Sequence, residues 1–174
     1  DLAGNRVIGA EALLRWKHPH MGQVGPDEFI PIAESGGMLP KIADFVLETA
    51  LQTLRQISGG NDQFYMSVNL SPVQFQNRNL VKSLASTIKA AGAHPGMLQL
   101  EITESVFLDS ALETVYILDG LHDLGVRLAL DDFGTGYSSL NYLTRFPFHC
   151  LKIDKSFIQG IVNSRREYEI ARAI

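Results

Sequence analysis

The chain has 174 residues, 45% of them hydrophobic and 20% charged, and this balance excludes intrinsic disorder, which requires low hydrophobicity and high charge. Nineteen acidic against fifteen basic residues give a formal net charge of -4, so no overall basic field is present to attract a nucleic-acid polymer. The single cysteine excludes an internal disulfide. The sequence shows no signal peptide and no apolar run of roughly 18 residues, so we expect a cytoplasmic segment that makes no membrane contact. Other domains of the parent protein could still anchor it to a membrane.

Hydrophobic segments alternate between strand-like and helix-like periods along the chain. The predicted strands, in chain order, cover residues 7–16, 64–70, 97–103, 126–131 and 148–153. The predicted helices cover residues 26–36, 40–57, 71–91, 110–124, 137–144 and 155–174, and a loop is predicted at residues 18–25. Strands joined by helical connections imply a parallel sheet covered by helices, either doubly wound or closed into a (β/α)8 barrel.

The two faces of the predicted strands differ in side-chain size. One face is large and aliphatic, as at Ile8, Val68 and Leu100, whereas the other is small or polar, as at Ser67 and Ala129. This difference favours a TIM-like barrel, in which helices cover the outside and small or polar residues fill the narrow interior. A closed barrel needs eight strands and typically about 250 residues, so we expect this chain to be a fragment that lacks roughly three strands.

Each predicted strand carries one polar or ionic residue on its small face, near its carboxyl end, and these residues are Glu11, Asn69, Glu101, Asp131 and Lys152. In a barrel the carboxyl ends converge on one mouth, where the three carboxylates would repel one another without a cation. Oxygen ligands favour magnesium, manganese or calcium over zinc. Taken singly, each residue could be a helix cap, a turn residue or a solvated end, but the repetition from strand to strand favours a metal site.

A second acid, Asp132, directly follows Asp131 on a loop that contains Gly134 and Gly136. Adjacent acids at a strand end can serve two ions, and two metal ions about 3.5–4 Å apart are the arrangement that promotes in-line displacement at phosphorus. Lys152 would then orient the attacking water or offset phosphate charge. The alternative interpretation is an acidic turn followed by a helix N-cap.

Two further residues have two interpretations each. Arg15 follows Glu11 on the same strand face, and it either contacts a phosphate or carboxylate at the mouth or is a solvated strand end. Glu104 lies just beyond the strand of Glu101, and it either caps the next turn or binds loop 132–139 through the amides and hydroxyls of that loop.

Several segments together carry a family resemblance, and they read EALLRW at 11–16, SVNLSP at 67–72, LEITES at 100–105, DDFGTGYSSL at 131–140 and LKID at 151–154. In order and spacing they closely resemble the EAL domain family, over essentially the whole chain. The resemblance implies a bacterial phosphodiesterase that hydrolyses cyclic dimeric GMP (cyclic di-GMP) to the linear dinucleotide pGpG. It also implies two magnesium or manganese ions on a modified TIM barrel.

The same resemblance implies a role for each candidate site residue. The ligands of the first metal ion would be Glu11, Asn69, Glu101 and Asp131. Asp132 would bind the second ion, Lys152 would hold a catalytic water, and Glu104 would steady loop 132–139. The substrate contacts would be Leu13 and Arg15.

By this resemblance residues 1–174 form a single EAL domain that is incomplete at both ends. The family's first strand, with a substrate-contacting glutamine, and its last strands, with a further glutamate and glutamine, are not in this sequence. An open barrel leaves strand edges unpaired and the metal site incomplete, so activity of the 174 residues alone is not expected.

The predicted function is therefore metal-dependent hydrolysis of cyclic di-GMP. Attached sensory or GGDEF-type domains in the parent protein are a further expectation, and the resemblance is also consistent with a homodimer. The main alternative is a catalytically silent module that binds cyclic di-GMP as a sensor, and a magnesium-dependent barrel that acts on another phosphoester is a third. The matched catalytic positions carry no substitution, which favours the enzyme, because a sensor does not need all of them.

Overall fold

A computed structural model describes residues 1–107, 111–134, 143 and 145–173. The strands are β1 (Gly9–Ala12), β2 (Trp16–His18), β3 (Gly22–Val24), β4 (Tyr65–Asn69), β5 (Leu98–Thr103), β6 (Arg127–Phe133) and β7 (Cys150–Ile153). The helices are α1 (Pro26–Ser35), α2 (Leu39–Ile57), α3 (Pro72–Phe75), α4 (Leu80–Ala91), α5 (Ala111–Leu124), α6 (Lys155–Gln159) and α7 (Arg165–Ala173). Short 3-10 helices at Pro95–Met97 and Glu104–Phe107 flank β5. None of the described helices is long and apolar enough to cross a bilayer.

Contacts within the chain divide it into two compact units. The first comprises Asp1–Val68 and Leu84–Leu98, and the second comprises Asn69–Ser83 and Gln99–Ile174. In the first unit β1 pairs with β4 in parallel, and in the second unit β6 pairs with β5 on one side and with β7 on the other, both in parallel. Parallel strands joined through helices confirm the predicted α/β class.

In the first unit a regular strand pair and an amphipathic helix follow from the hydrophobic pattern. Glu11 of β1 lies opposite Ser67 of β4 in an uninterrupted register. Helix α2 buries Leu47, Leu51 and Leu54, whose spacing of three to four residues places them on one face, and the last two are 0% exposed. Replacing such a leucine with alanine costs about 2–5 kcal/mol, so this stripe holds α2 in place.

In the second unit β5 is buried on both faces. Leu100 and Ile102 are 1% and 0% exposed, and Gln99 and Glu101, which alternate with them, are 2% and 3% exposed. The backbone amide of Leu70, just after β4, donates to the carbonyl of Glu101 at 2.9 Å. A parallel strand covered on both faces is shielded from solvent, so the Glu101 side chain lies in the protein interior.

The first predicted strand is too long. Strand β1 ends at Ala12, within the predicted range 7–16, and an antiparallel hairpin of β2 and β3 occupies part of the predicted loop. In that hairpin Trp16 lies opposite Val24. Each hairpin strand has three residues, which is too short for an alternation of period two to be visible in the sequence.

Two long predicted helices are interrupted. The prediction for 71–91 becomes α3 and α4, because the side chain of Asn77 accepts a hydrogen bond from the backbone amide two residues later at 3.0 Å and forms a turn. The prediction for 155–174 becomes α6 and α7, separated by a segment that starts at Gly160. Of the helix predicted at 137–144, only residue 143 is described.

Candidate active site

The predicted site residues fall in both units. The second unit contains Asn69, Glu101, Glu104, Asp131, Asp132 and Lys152, which lie in β4, β5, β6 and β7 near their carboxyl ends or directly after them. The first unit contains Glu11, Leu13 and Arg15. Within the second unit the structure brings three of them, Glu101, Asp131 and Lys152, into direct contact.

The Lys152 ammonium lies between two carboxylates. Its Nζ donates to Oε2 of Glu101 at 2.5 Å and to Oδ2 of Asp131 at 3.2 Å. The side chain of Glu101 is 3% exposed and that of Asp131 is 21% exposed. Burying a carboxylate without a partner costs several kcal/mol, so Glu101 in particular depends on a neighbouring positive charge.

The same carboxylates shift the ionisation of Lys152. Partial burial alone would lower the pKa of Lys152, but the hydrogen bonds and charges of Glu101 and Asp131 outweigh burial and raise the pKa above its usual value. Lys152 is therefore positively charged at neutral pH. The two carboxylates define a position that favours a cation.

Strand β6 has an irregularity that places two acids against one lysine. Three steps along β6 match two steps along β7 between the pairs Leu130–Leu151 and Phe133–Ile153. The extra residue makes a β-bulge, which allows Asp131 and Asp132 to lie opposite Lys152. Asp132 has a φ of 52°, in the left-handed region that aspartate tolerates better than most residues.

The electrostatic surroundings of Asp132 disfavour its negative charge. Asp132 is exposed, but partial desolvation of its carboxyl and the negative charges of Asp131 and Asp154 raise its pKa, although Lys152 and Lys155 act in the opposite direction. The backbone amide of Asp132 donates to Oδ1 of Asp131 at 3.0 Å, which ties the two acids together. An additional cation close to these acids would relieve their repulsion.

Glu104 contacts the segment that follows β6. Its Oε1 accepts a hydrogen bond from the backbone amide of Gly134 at 3.2 Å. The loop-binding interpretation requires contacts of this kind, whereas a simple cap of the 3-10 helix at Glu104–Phe107 does not. Residues 135–139 of the predicted loop lie outside the described residues, so the role of Glu104 stays a prediction.

In the first unit the predicted site residues lie on and after β1. Glu11 is exposed and lies opposite Ser67. Leu13 is 55% exposed, and the guanidinium of Arg15 donates to the carbonyl of Leu14 at 2.8 Å. Leu13 and Arg15 also line a cavity of about 390 Å³ beside α2. Their contacts with a substrate, and the metal contact of Glu11, stay predictions.

The donor atoms of the second unit suit a hard divalent cation. Asn69, Glu101, Asp131 and Asp132 present only oxygen ligands, which magnesium and manganese prefer. Within the described ranges, no three acidic, histidine or cysteine side chains gather closely enough to hold an ion as they stand. Lys152 instead supplies the positive charge between Glu101 and Asp131. Binding of a metal ion by these oxygen atoms stays a prediction.

The sequence did not predict the bulge. The predicted strand ends at Asp131, where a loop that contains Gly134 and Gly136 is predicted to begin. The structure continues β6 to Phe133, which is 7% exposed. A buried aromatic residue directly after two acids was the available signal, since it returns the strand to the core one residue out of phase.

The family model described as EAL domain matches residues 1–174. The cyclic di-GMP phosphodiesterase NbdA of Pseudomonas aeruginosa is 42% identical over 174 residues, which cover 99% of this chain and 22% of NbdA. The bifunctional diguanylate cyclase/cyclic di-GMP phosphodiesterase MucR of the same species is 41% identical over 169 residues, which cover 97% of this chain and 25% of MucR. The chain spans about a quarter or less of the length of these relatives.

A solved structure matches as well. The structure of PaMucR phosphodiesterase, in complex with c-di-GMP, is 41% identical to this chain and has a TM-score of 0.88. The match covers 96% of this chain and 68% of the solved one. Together with the family model, this match confirms the predicted resemblance and the predicted EAL-type α/β fold.

Proposed function

The chain belongs to the EAL domain family, and on this premise we propose that it forms part of a phosphodiesterase that hydrolyses cyclic di-GMP to linear pGpG with magnesium or manganese. One observation carries the proposal most directly. The buried carboxylate of Glu101 and the carboxylate of Asp131, on adjacent parallel strands, converge on the single positive charge of Lys152. The names of the relatives NbdA and MucR support cyclic di-GMP as the substrate.

The metal ions would be held by the oxygen ligands of this region. Asn69, Glu101 and Asp131, with Glu11 from β1, are proposed for the first ion and Asp132 for the second. When bound, such a pair of ions activates a water and stabilises the charge that develops at phosphorus. The raised pKa of Asp132 supports this assignment, because a nearby cation would stabilise its ionised form.

The chain's own basic residues would bind and orient the substrate. Lys152 brings a fixed positive charge to the acids at the strand ends, where its ammonium can hold a water or a phosphate oxygen. Arg15, exposed directly after the Leu13–Leu14 segment, presents a guanidinium suited to a phosphate. Leu13, 55% exposed, offers an apolar surface to the substrate on the same segment.

The relatives also suggest how the segment is used. Because the chain spans only 22% of NbdA and 25% of MucR, we propose that it acts within a larger protein that has sensory or GGDEF-type domains. The printed name of MucR joins a diguanylate cyclase to a phosphodiesterase, which supports such a combination. A homodimer stays a prediction.

The direct test is hydrolysis by the full-length protein. Cyclic di-GMP is incubated with the protein in four parallel reactions that contain magnesium, manganese, calcium or a chelator. The products are separated by chromatography and identified by mass spectrometry. We expect pGpG with magnesium or manganese, and binding without turnover with calcium, whose looser coordination misplaces the attacking water. Full hydrolysis in the presence of the chelator would contradict the metal requirement.

Two other outcomes identify the alternatives. Binding of cyclic di-GMP without any pGpG, under all metal conditions, would identify a silent sensor module. Hydrolysis of a simple phosphodiester such as bis(p-nitrophenyl) phosphate, without hydrolysis of cyclic di-GMP, would identify a metal-dependent enzyme with another substrate.

A further inference from the structure

Gly134, directly after β6, is held from two sides. Its backbone amide donates to Oε1 of Glu104 at 3.2 Å. Its α-carbon faces the ring of Phe157, because a β-carbon at this position would lie 2.8 Å from Cε2 and 2.9 Å from Cζ of that ring. The φ of 98° at Gly134 is also one that side-chain-bearing residues rarely adopt. A larger residue is therefore excluded by the ring and by the backbone.

The ring that contacts Gly134 belongs to the helix that directly follows β7, the strand that contains Lys152. Phe157 lies in α6, which begins two residues after the end of β7. Lys152, in β7, is five residues before Phe157 in the chain. Asp154 caps α6, since its Oδ1 accepts from the amide of Ser156 at 2.9 Å. The amide of Phe157 donates to the carbonyl of Asp154 at 3.1 Å, so the ring is fixed relative to β7.

Asp132 lies two residues before Gly134 in the chain. It occupies the bulge of β6, where the regular ladder with β7 is interrupted, and it adopts a φ of 52°. The nearest restraints after it along the chain are buried Phe133 and the two contacts at Gly134.

We propose that Phe157 is a positioning residue, whose ring holds Gly134 against Glu104 and thereby fixes the Asp131–Asp132 bulge opposite Lys152. The inference rests on the proposed function for its catalytic consequence. Its structural part, the restraint of the segment after β6, stands on the contacts of Gly134 alone. The ring acts through Gly134.

A purely structural role for Phe157 would have different consequences. If the ring only filled space around α6, its removal would lower stability without changing the concentration of metal needed for half-maximal turnover. If it positions Asp132, its removal weakens the response to metal, because a ligand must be held to within about 0.5 Å of its productive place.

The test compares variants of the full-length protein. Phe157→Ala removes the ring, Phe157→Tyr keeps it, and Ile158→Ala is the matched control, since Ile158 is the next residue of α6 and is 43% exposed. We expect Phe157→Ala to lower turnover about 10–100-fold and to raise the magnesium concentration for half-maximal turnover about 10-fold. We expect Phe157→Tyr and Ile158→Ala to behave as the wild type does.

A second measurement is independent of metal and of activity. Hydrogen exchange of the Gly134 amide reports directly on its bond to Glu104. Without metal, we expect this amide to exchange at least about 10-fold faster in Phe157→Ala than in the wild type or Ile158→Ala. If Phe157→Ala does not fold, Phe157→Leu, which keeps bulk but not the ring, replaces it in both measurements.

The two measurements separate failure of the inference from failure of the proposed function. Unchanged exchange at Gly134 in the folded variant overturns the inference, whether or not the wild type hydrolyses cyclic di-GMP. Faster exchange in a protein that hydrolyses no cyclic di-GMP supports the restraint and rejects the proposed function. In an active protein, Glu104→Ala and Phe157→Ala combined should lower turnover less than the product of the single effects, because both act through Gly134.

Discussion

The β1–β4 pair of the first unit and the β6–β7 pair of the second are both parallel, but they present acids in different ways. In β1–β4 the register is regular, and the single acid Glu11 lies opposite the neutral Ser67. In β6–β7 a bulge places two acids, Asp131 and Asp132, opposite Lys152. A regular strand shows only every second residue on one face, so consecutive residues can share a site only where the register is broken.

The two strand pairs also differ in the regularity of the backbone and in the density of negative charge. Glu11 lies on an undistorted strand, whereas Asp132 adopts a left-handed conformation and has a raised pKa. The bulged pair therefore concentrates negative charge at the cost of a regular backbone. A cation stabilises that arrangement, which is why the bulged pair is the stronger candidate for metal binding.

The largest expected effect is the loss of a metal ligand in either strand pair. We expect Asp131→Asn and Glu11→Gln in the full-length protein each to lower turnover by more than the roughly 10–100-fold that loss of a residue behind a ligand costs. Both variants should fold, because Glu11 is exposed and because the amide oxygen of Asp131→Asn can still accept a hydrogen bond from Lys152. The measurements are turnover at saturating magnesium and the melting temperature.

Matched controls make this pair of variants decisive. Asp44→Asn and Glu48→Gln remove exposed carboxylates from α2 and should leave turnover unchanged. A wild-type rate in Glu11→Gln, together with a lost rate in Asp131→Asn, would show that the regular pair contributes no ligand. A wild-type rate in both variants would reject the metal site itself.

An intermediate effect is expected at Glu104, which supports the segment after the bulge. Glu104→Ala removes the acceptor of the Gly134 amide, so we expect turnover to fall about 10–100-fold and the magnesium requirement to rise. A capping residue alone predicts instead a loss of about 1 kcal/mol in the free energy of unfolding with near-normal turnover. A lowered melting temperature with an unchanged magnesium dependence would refute the anchoring role.

A smaller effect is expected on the stability of the bulge. The raised pKa of Asp132 means that its charged form opposes folding, so the penalty is absent below its unfolded pKa near 3.8 and complete above its folded pKa. Without metal at pH 7, Asp132→Asn should therefore raise the free energy of unfolding by some tenths of a kcal/mol, since the group is exposed and screened. Urea unfolding measures this change.

Magnesium should reverse that stability difference. An ion that binds Asp132 stabilises the wild type and not Asp132→Asn, in proportion to its affinity. If Asp132→Asn exceeds the wild type in free energy of unfolding by the same amount with and without magnesium, Asp132 is not a ligand. The stability difference then reflects only the strain and charge repulsion of the bulge.

The smallest expected effect lies at the amino-terminal end of the same strand pair. Nδ1 of His149 accepts a hydrogen bond from the amide of Leu128 at 3.2 Å, and burial and the charges of Arg127 and His122 lower the pKa of His149. A lowered folded pKa means that the unfolded chain binds the proton more readily, so stability is complete above about pH 6.5 and declines as the pH falls below it. The wild type should lose some tenths of a kcal/mol of stability between pH 7.5 and 5.5.

Two histidine variants test this dependence of stability on pH. His149→Gln should remove the additional decline, and His20→Gln, an exposed residue of the first unit, should not. An identical pH dependence in wild type and His149→Gln would show that the bond to Leu128 is not lost on protonation.

The sequence by itself determined the α/β class, the alternation of the sheet strands with helices, and the acids at the strand ends. These are local properties, because hydrophobic periods and turn residues act over a few neighbouring positions. The motifs around Glu11, Glu101 and Asp131 were also sufficient for the family resemblance. The roles of these residues in metal binding and catalysis stay predictions.

Only the tertiary structure decided the bulge in β6, the direct contacts of Lys152 with Glu101 and Asp131, and the contacts of Gly134. Lys152 and Glu101 are 51 residues apart in the chain, and Gly134 and Glu104 are 30 apart. Whether such residues meet depends on how two strands pair and on which side chains fill the space between them. A shift of one residue in the pairing of two strands changes which side chains lie opposite one another, but it leaves the hydrophobic pattern of each strand unaltered. The sequence pattern therefore cannot distinguish the shifted register from the original one.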